Sequence, residues 1–308
     1  MNGKKYILPV ALIAAIVGLT GCTSVDDEGA VQVDRVAARI TGGLSVENSR
    51  AVDGSWNHDR IGVMVIDAPN SEMEEMYCNV EYISTSTGTT ADFNSVVGNG
   101  ICFQDIKETV TFAAYAPYQA SSSMEVQPGN RGVIEVETSI NNKASVQESI
   151  DFVYATGATA SFTKPEVQFQ NFGEGRDYSF HHVMSKIVVN ITTSVDDGFE
   201  AEDAQRVEDV VLKGLVHKGT FDVTTGVAAV ATAAVAEDVS MGDWVSGYTT
   251  STNTKTYQGI VLPQEVSSGM GFEVNIDGQI YSFDGISAKF EPGKSYIYNI
   301  LVKKNEQI

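Results

Sequence analysis

The stretch that decides the fold is Val36-Ala37-Ala38-Arg39-Ile40-Thr41-Gly42-Gly43-Leu44-Ser45-Val46, followed after a polar break by Arg60-Ile61-Gly62-Val63-Met64-Val65-Ile66. Both runs are rich in branched aliphatic residues, which predicts two β-strands. The break between them ends in Asn48-Ser49-Arg50-Ala51. A strand that borders an exposed arginine is one that a protease could remove. Its removal would leave an apolar groove with unpaired backbone groups, which a strand of another chain could fill.

The composition is that of a folded, acidic protein that is long enough for two domains. The chain has 308 residues, of which 43% are hydrophobic and 19% are charged, so it can bury substantial cores. Asp and Glu number 40 against 20 Lys and Arg, which gives a formal net charge of −20. This balance argues against a nucleic-acid partner, whose phosphates require a basic surface, and against attachment to anionic lipid. Its simplest reading is solubility.

The N-terminus predicts export and a lipid anchor. Two lysines precede a short apolar run at residues 6–17, and Leu19-Thr20-Gly21-Cys22 follows. This order is typical of a signal peptide, here residues 1–21, and no later run reaches the ~20 apolar residues that span a bilayer. The last four residues resemble the lipobox of bacterial lipoproteins, which implies that Cys22 is acylated and becomes the mature N-terminus. An ordinary signal peptide with a chance cysteine is the alternative.

Residues 22–35 are predicted to be a tether between the lipid and the folded body. They include Thr23-Ser24-Val25-Asp26-Asp27-Glu28. This acidic run resembles the export signal that sends lipoproteins to the outside of the outer membrane in Bacteroidetes. A solvated tether without a signal is the alternative. The expected location is the outer surface of the outer membrane.

Cys78 and Cys102 remain once Cys22 is assigned to lipid. Each lies in a strand-like run, Met76-Tyr77-Cys78-Asn79-Val80 and Gly100-Ile101-Cys102-Phe103. Outside the cytoplasm two such cysteines can form a cross-strand disulfide, and two separate buried thiols are the alternative. Neither cysteine has a histidine or a basic residue close to it in sequence, which argues against a catalytic thiol.

Along the rest of the chain, runs rich in Val, Ile, Phe, Tyr and Thr predict β-strands. Polar clusters of Gly, Asn, Ser and Pro separate these runs and mark the turns and loops between them. The runs lie at residues 61–66, 76–84, 109–115, 132–137, 152–155, 178–193, 207–215, 218–223, 257–262, 271–276, 279–283 and 295–302. Asp277-Gly278 predicts a hairpin turn. Residues 121–130 and 139–149 are predicted to be surface loops. The Ala-rich residues 227–239 leave open a helix, a strand or an irregular edge.

This succession of strands predicts an all-β fold of two antiparallel β-sandwiches in series. A break at Gly173-Glu174-Gly175-Arg176 separates them. The predicted domains are residues 36–175, which include the removable first strand, and residues 176–308.

Five further motifs occur in order between residues 109 and 300. They are Thr109-Val110-Thr111-Phe112-Ala113-Ala114-Tyr115-Ala116-Pro117-Tyr118, Asp151-Phe152-Val153-Tyr154-Ala155, Phe180-His181-His182-Val183-Met184-Ser185-Lys186-Ile187-Val188-Val189, Leu212-Lys213-Gly214-Leu215 with Gly219-Thr220-Phe221-Asp222, and Pro292-Gly293-Lys294-Ser295-Tyr296-Ile297-Tyr298-Asn299-Ile300. Together with the lipobox, their order resembles the fimbrillins, the type V pilus subunits of Bacteroidales. The resemblance covers residues 36–302.

The resemblance implies a fimbrial subunit with two transthyretin-like β-sandwich domains, serving adhesion without catalysis. In the family, a lipidated precursor reaches the outer membrane with its first strand folded in, and an arginine-specific protease cuts after that strand. The groove then accepts a donor strand from the C-terminus of a neighbouring fimbrial subunit. Arg50 and Ala51 occupy the position of the family's cleavage site. Arg35 and Arg39 are alternatives, and Arg39 is expected to be shielded inside the strand.

The C-terminus departs from the family's shaft subunits, which tend to carry a longer donor tail. Only residues 303–308 follow the closing strand. A tip subunit accepts a strand without donating one, so the short tail favours a tip or accessory role. The alternative is that the closing strand itself is the donor, and the choice between shaft, tip and anchor stays open.

The histidines favour structural roles over a metal site. His181 and His182 are adjacent, and adjacent residues on a strand point to opposite faces, which makes them poor partners for one ion. His58 and His217 are expected at the surface. No metal and no cofactor are therefore expected.

The sequence carries no motif of a known catalytic class. It contains no Gly-x-Ser-x-Gly, His-Glu-x-x-His, Cys-x-x-Cys or phosphate loop. Trp56, Trp244 and Tyr248 are expected to pack in the core or in loops rather than to bind sugar. The rival functions are a monomeric surface lipoprotein that binds glycan or a host protein and, third, a secreted hydrolase.

Overall fold

The computed structural model describes residues 35–45, 55–57, 59–68, 71–96, 98–103, 105–106, 108–120, 125–127, 130–141, 144–200, 203–241 and 244–304. Within these residues the chain is almost entirely β-structure, which confirms the predicted all-β fold class. No helix in this part of the chain has the length and apolar character needed to cross a bilayer.

The described residues form 24 strands and two short α-helices. The first strands are β1 (Val36–Ala37), β2 (Arg39–Gly43), β3 (Trp56–Asn57), β4 (Arg60–Asp67), β5 (Val80–Ser84), β6 (Thr87–Gly88), β7 (Thr90–Ser95), β8 (Cys102–Phe103), β9 (Thr109–Ala116), β10 (Glu125–Gln127), β11 (Asn130–Glu137), β12 (Val153–Ser161) and β13 (Glu166–Phe169). The later strands are β14 (His181–His182), β15 (Ser185–Thr193), β16 (Val207–Leu215), β17 (Lys218–Asp222), β18 (Val227–Val230), β19 (Glu237–Ser240), β20 (Val245–Thr249), β21 (Thr254–Val261), β22 (Gln264–Ile276), β23 (Gln279–Phe290) and β24 (Ser295–Val302). The helices are α1 (Ser71–Met76) and α2 (Ala144–Ile150).

One large sheet dominates the first part of the chain. Its eight strands have the order β13-β2-β7-β5-β4-β9-β12-β14, and every neighbouring pair is antiparallel except β13 with β2. The later strands form two four-stranded sheets, β20-β21-β15-β24 and β19-β16-β22-β23. In the first of these, β24 runs parallel to β15 over eight residue pairs.

Two apolar cores follow this division of the sheets. The first contains buried side chains between Ala38 and Phe180, and the second contains buried side chains between Ile187 and Val302. Phe180 and β14 lie beyond residue 175, yet they belong to the first core and to the eight-stranded sheet. The division into domains at residue 175 stays a prediction.

A third core, the junction core, joins the two halves of the chain, and the four-stranded sheet that packs in it is the junction sheet. The four-stranded sheet β10-β11-β17-β18 pairs residues 133–137 with residues 218–222. Phe221 is wholly buried in this core and stacks on Phe152 with ring centres 4.6 Å apart. The Asn141 side chain donates to the Ile260 carbonyl and accepts from the Ile260 amide, both at 2.8 Å. The two halves therefore share backbone hydrogen bonds as well as apolar contacts.

The strongest predicted strands are confirmed with their bounds. β16 and β24 coincide with the predicted residues 207–215 and 295–302. The predicted Asp277-Gly278 turn joins β22 to β23, and its residues have φ values of 51° and 78°, as a two-residue hairpin of this kind requires. Residues 227–239 contain β18 and most of β19 but no helix, so the strand alternative is the correct one.

The sequence does not predict the two short helices. Residues 76–79 are predicted as strand, but α1 ends at Met76 and β5 begins at Val80. Residues 139–149 are predicted as a loop, yet they contain most of α2. Tertiary contacts hold both helices, since Met73 is buried in the first core and the buried Gln147 side chain donates to the Gln258 carbonyl at 2.7 Å. Helices this short are marginal without such contacts.

The expectation that His217 lies at the surface is wrong. His217 is wholly buried beside the junction sheet, and its Nδ1 lies 2.9 Å from the Thr138 hydroxyl. The Thr138 amide donates to the His217 carbonyl at 2.8 Å. Burial lowers the pKa of His217 below its ordinary value of 6.5, although Glu137 and Glu237 oppose this shift. His217 lies in the two-residue connection between β16 and β17, directly before β17, whose pairing with β11 places it in the interior.

We expect Phe221→Ala to lower the free energy of unfolding by about 3–5 kcal/mol, because it empties the centre of the junction core. Urea unfolding of both proteins measures the difference. Val227→Ala is the matched control, since Val227 lies on the neighbouring strand β18 with 55% of its surface exposed. Equal losses in the two variants would contradict the junction core.

We expect His217 to reduce the stability of the protein as the pH drops from about 7 to below 6.5, and His217→Asn to remove that contribution. The folded state disfavours the protonated imidazole, so the unfolded state binds the proton first and gains from acidification. The contribution is at most about 1.4 kcal/mol per pH unit, since one proton is involved. Urea unfolding across this pH range measures it, and an unchanged slope in the variant would contradict the assignment.

Candidate functional site

The first strand of the fold lies inside the eight-stranded sheet rather than at its edge. β2 runs parallel to β13 on one side and antiparallel to β7 on the other. Ile40 pairs with Val167 on β13 and with Phe93 on β7. Within the predicted strand at residues 36–46, the structure thus has two paired strands at residues 36–37 and 39–43 and a bridge at Leu44, and residue 46 lies outside the described residues.

The backbone around β2 is hydrogen-bonded on both edges. The Arg39 amide donates to the Pro165 carbonyl at 2.8 Å, and the Leu44 amide donates to the Thr89 carbonyl at 2.9 Å. The Phe180 amide donates to the Gly43 carbonyl at 2.9 Å. Without this segment, the facing edges of β13 and β7 would be left unpaired, which is costly in a buried sheet.

The inward side chains of the strand are apolar and reach the first core. Ala38 and Ile40 are 8% and 2% exposed, Gly42 is buried, and Leu44 packs partly buried against the same cluster. Burying a residue such as Ile40 contributes roughly 1.5–3 kcal/mol. Removal of the strand would therefore open an apolar groove.

Aromatic rings form the floor of that groove. The Trp56 ring lies 5.1 Å from the Phe93 ring and 5.0 Å from the Phe180 ring, both edge-on, and Phe169 lies 5.5 Å from Phe180. The buried indole N–H of Trp56 donates to the Gly42 carbonyl at 3.1 Å. Trp56 is wholly buried, which agrees with its expected packing role.

Gly42 is the position where the strand and this floor come closest. A Cβ atom built on Gly42 would lie 2.8 Å from Cε2 of Phe180 and 3.0 Å from Cε2 of Phe93, distances that side-chain carbons do not adopt. A Cβ atom on Gly43, one residue further, would have 3.6 Å to its nearest neighbour, the Thr90 hydroxyl. The sheet therefore excludes any side chain at position 42 and accepts one at position 43.

Arg39, one of the alternative cleavage sites, is the first residue of β2, and its side chain points outward. Its guanidinium lies 3.2 Å from Glu166 on β13, and the two side chains are 58% and 48% exposed. An ion pair this exposed contributes little stability. The peptide bonds on either side of Arg39 lie within the sheet, while the exposed Arg35 precedes β1. Arg50, Ala51 and the lipidation candidate Cys22 lie outside the described residues.

The cysteine pair predicted as an alternative is not formed. Cys78 has a free thiol, so it is not joined to Cys102. It follows α1 in the turn that leads to β5, instead of lying in a strand as predicted. Cys102 lies in β8 and pairs with Ala37 of β1.

The adjacent histidines have separate acidic partners. His181 Nε2 lies 3.3 Å from Asp177, and His182 Nδ1 lies 2.9 Å from the buried Asp151. In the ranges that the structure describes, no three His, Cys, Asp or Glu side chains come together as a metal site. His58 lies outside those ranges.

The sequence reasoning missed the role of Gly42 and of the rings of Phe93 and Phe180. One signal was present, because paired glycines within a strand run mark a place where another group approaches the backbone closely. The rings themselves come from strands that are distant in sequence, so only the folded sheet reveals which of them meet Gly42.

The comparisons with known proteins agree with this architecture. The model of the fimbrillin-like family matches residues 49–308. A putative cell adhesion protein from Bacteroides ovatus has a similar structure, with a TM-score of 0.66, 25% identity, and coverage of 89% of this chain and 94% of that one. A putative cell adhesion protein from Bacteroides uniformis gives a TM-score of 0.63 at 24% identity, covering 88% and 93% of the two chains.

A third solved structure, a putative cell adhesion protein from Bacteroides fragilis, is similar in fold, with a TM-score of 0.53 at 12% identity over 89% of this chain and 95% of that one. No curated protein sequence matches the chain. The family model spans most of the sequence, and the folds agree over nearly the whole described length. The chain belongs to the fimbrillin-like family.

Proposed function

We propose that the chain is a fimbrial subunit that assembles by strand exchange at the outer surface of the outer membrane. Lipid on Cys22 holds the precursor there, and an arginine-specific protease cuts between Arg50 and Ala51. A strand of another fimbrial subunit then fills the groove. The assembled fimbrium serves adhesion, and the subunit itself carries out no catalysis.

The observation that carries the proposal is the position of the first strand. β2 lies inside the large sheet, yet the strands that precede residue 50 in the described chain are β1 and β2 alone. A cut at Arg50 would free both of them and would break no other described strand. The rest of the eight-stranded sheet would stay covalently continuous, with a gap between β13 and β7.

The energetics of such a gap favour its refilling. An open groove exposes apolar side chains and two unpaired strand edges. An added strand restores the hydrogen bonds of both edges, which supplies affinity, while the pockets for alternate side chains supply specificity. Because the acceptor groove and the donor strand are different surfaces, the contact does not close on itself and can extend into a filament.

Membership of the fimbrillin-like family and the similar structure of the Bacteroides ovatus protein, described as a putative cell adhesion protein, support the fimbrial and adhesive parts of the proposal. The two predicted β-sandwich domains, residues 36–175 and 176–308, belong to the proposal as well. In it the first domain carries the groove, and Phe180, just after residue 175, completes the groove's wall.

We expect an arginine-specific protease to cut the folded chain between Arg50 and Ala51, and Arg50→Ala to resist that cut. Arg39→Ala is the matched control, because the backbone at Arg39 is bonded within the sheet and is shielded from the protease. N-terminal sequencing of the large fragment identifies the cut. A fragment that begins at Ile40 would contradict the proposed site.

The location is tested by electron microscopy of intact cells labelled with an antibody to this protein. We expect label on filaments, and loss of filament label in cells that carry Arg50→Ala. Label confined to the cell surface in both strains would contradict the fimbrial role and favour a monomeric lipoprotein that binds glycan or a host protein.

A further inference from the structure

Four inward positions face the groove, and the three buried ones, Ala38, Ile40 and Gly42, each have a definite size. The site of Ala38 holds a small side chain, the site of Ile40 holds a branched one, and the site of Gly42 holds none. These positions alternate along the strand, so they share one face of the sheet. A strand that replaces β2 in the same register must match all three sizes.

The Gly42 site is the strictest of the three because its walls have little freedom to move. Phe180 is 1% exposed and is packed between Trp56 at 5.0 Å and Phe169 at 5.5 Å. Phe93, on the other wall, is 4% exposed and contacts Trp56 as well. Rings in a close-packed interior do not yield to an added carbon without a loss of stability.

The chain's own closing strand does not fit this groove. One face of β24 carries Tyr296, Tyr298, Ile300 and Val302, and the other carries Ser295, Ile297, Asn299 and Leu301. Every register of β24 therefore brings a side chain to the Gly42 site. Gly293, just before β24, could lie at that site. A strand in the direction of β2 would then place Glu291 at the Ile40 site, and a strand in the opposite direction would place Ser295 there. Neither side chain is branched and aliphatic.

β24 is also committed to its own sheet. It pairs with β15 over eight residue pairs, and its Val302 side chain is wholly buried in the second core. Donating β24 would break its pairing with β15 and expose part of the second core, and both losses would oppose its transfer to the groove.

We propose, on the basis of the proposed function, that the groove accepts a strand of a different polypeptide whose inward residues follow the order small, branched aliphatic, glycine at alternate positions. The chain is then a strand acceptor that does not polymerise with copies of itself through β24. The glycine is the residue that selects the partner, because a single methyl group at its position collides with Phe180.

The test is to refold the cleaved chain, freed of its N-terminal segment in mild denaturant, with labelled peptides. Four peptides are compared: residues 36–46, the same peptide with Gly42→Ala, the same peptide with Gly43→Ala, and residues 294–304, which contain β24. We expect the first and third to bind alike, the second to bind at least about tenfold more weakly, and the last not to bind. The two alanine peptides differ only in the position of one methyl group, so solubility and strand propensity are matched.

The outcomes separate the two proposals. If the Gly42→Ala peptide binds as tightly as the Gly43→Ala peptide, or if residues 294–304 bind as tightly as residues 36–46, the glycine selection is wrong while strand exchange stands. If residues 36–46 do not bind either, the strand-exchange function fails and this inference fails with it.

A second measurement needs no cleavage. In the uncut chain we expect Gly42→Ala to lower the Tm and Gly43→Ala to leave it unchanged, because only the first added methyl group meets the rings. Equal Tm values in the two variants would overturn the inference.

Discussion

The pairing of β2 with two neighbours at once is the constraint on which the rest of the structure depends. Each peptide group of an interior strand needs partners on both sides, and β2 finds them on β13 and β7. Among the described residues only the strand β1 precedes it in the chain, and both strands lie before the proposed cut at Arg50. In the proposed exchange, this central strand is replaced without a break in any other described strand after residue 50.

A second constraint acts between the two halves of the chain. β11 pairs with β17, and Phe152 stacks on Phe221, so the groove-bearing part and the later sheets share one core. In the proposed filament, a tensile force applied at the groove would be transmitted to the rest of the subunit through these hydrogen bonds and ring contacts. A flexible linker would carry the same load without fixing the direction of growth.

Long strands with strong β-propensity were predictable from the sequence, and β16 and β24 show this with matching bounds. The first strand was predictable as well, although the sequence could not show that it lies between a parallel and an antiparallel neighbour. The short helices α1 and α2 and the burial of His217 were not predictable. Each of them depends on contacts with residues that are distant in the chain, which local pattern does not contain.

By itself, the sequence determined the fold class, the order of the strands along the chain and the presence of a first strand, because alternation, β-branched composition and turn residues are local properties. Only the tertiary structure decided what that strand touches. The two rings that exclude a side chain at Gly42 come from Phe93 and Phe180, far from it and from each other in sequence, and their positions follow from how the sheet closes around the strand. Steric exclusion depends on which residues are neighbours in the folded structure, so the sequence pattern alone could not identify the rings that exclude a side chain at position 42.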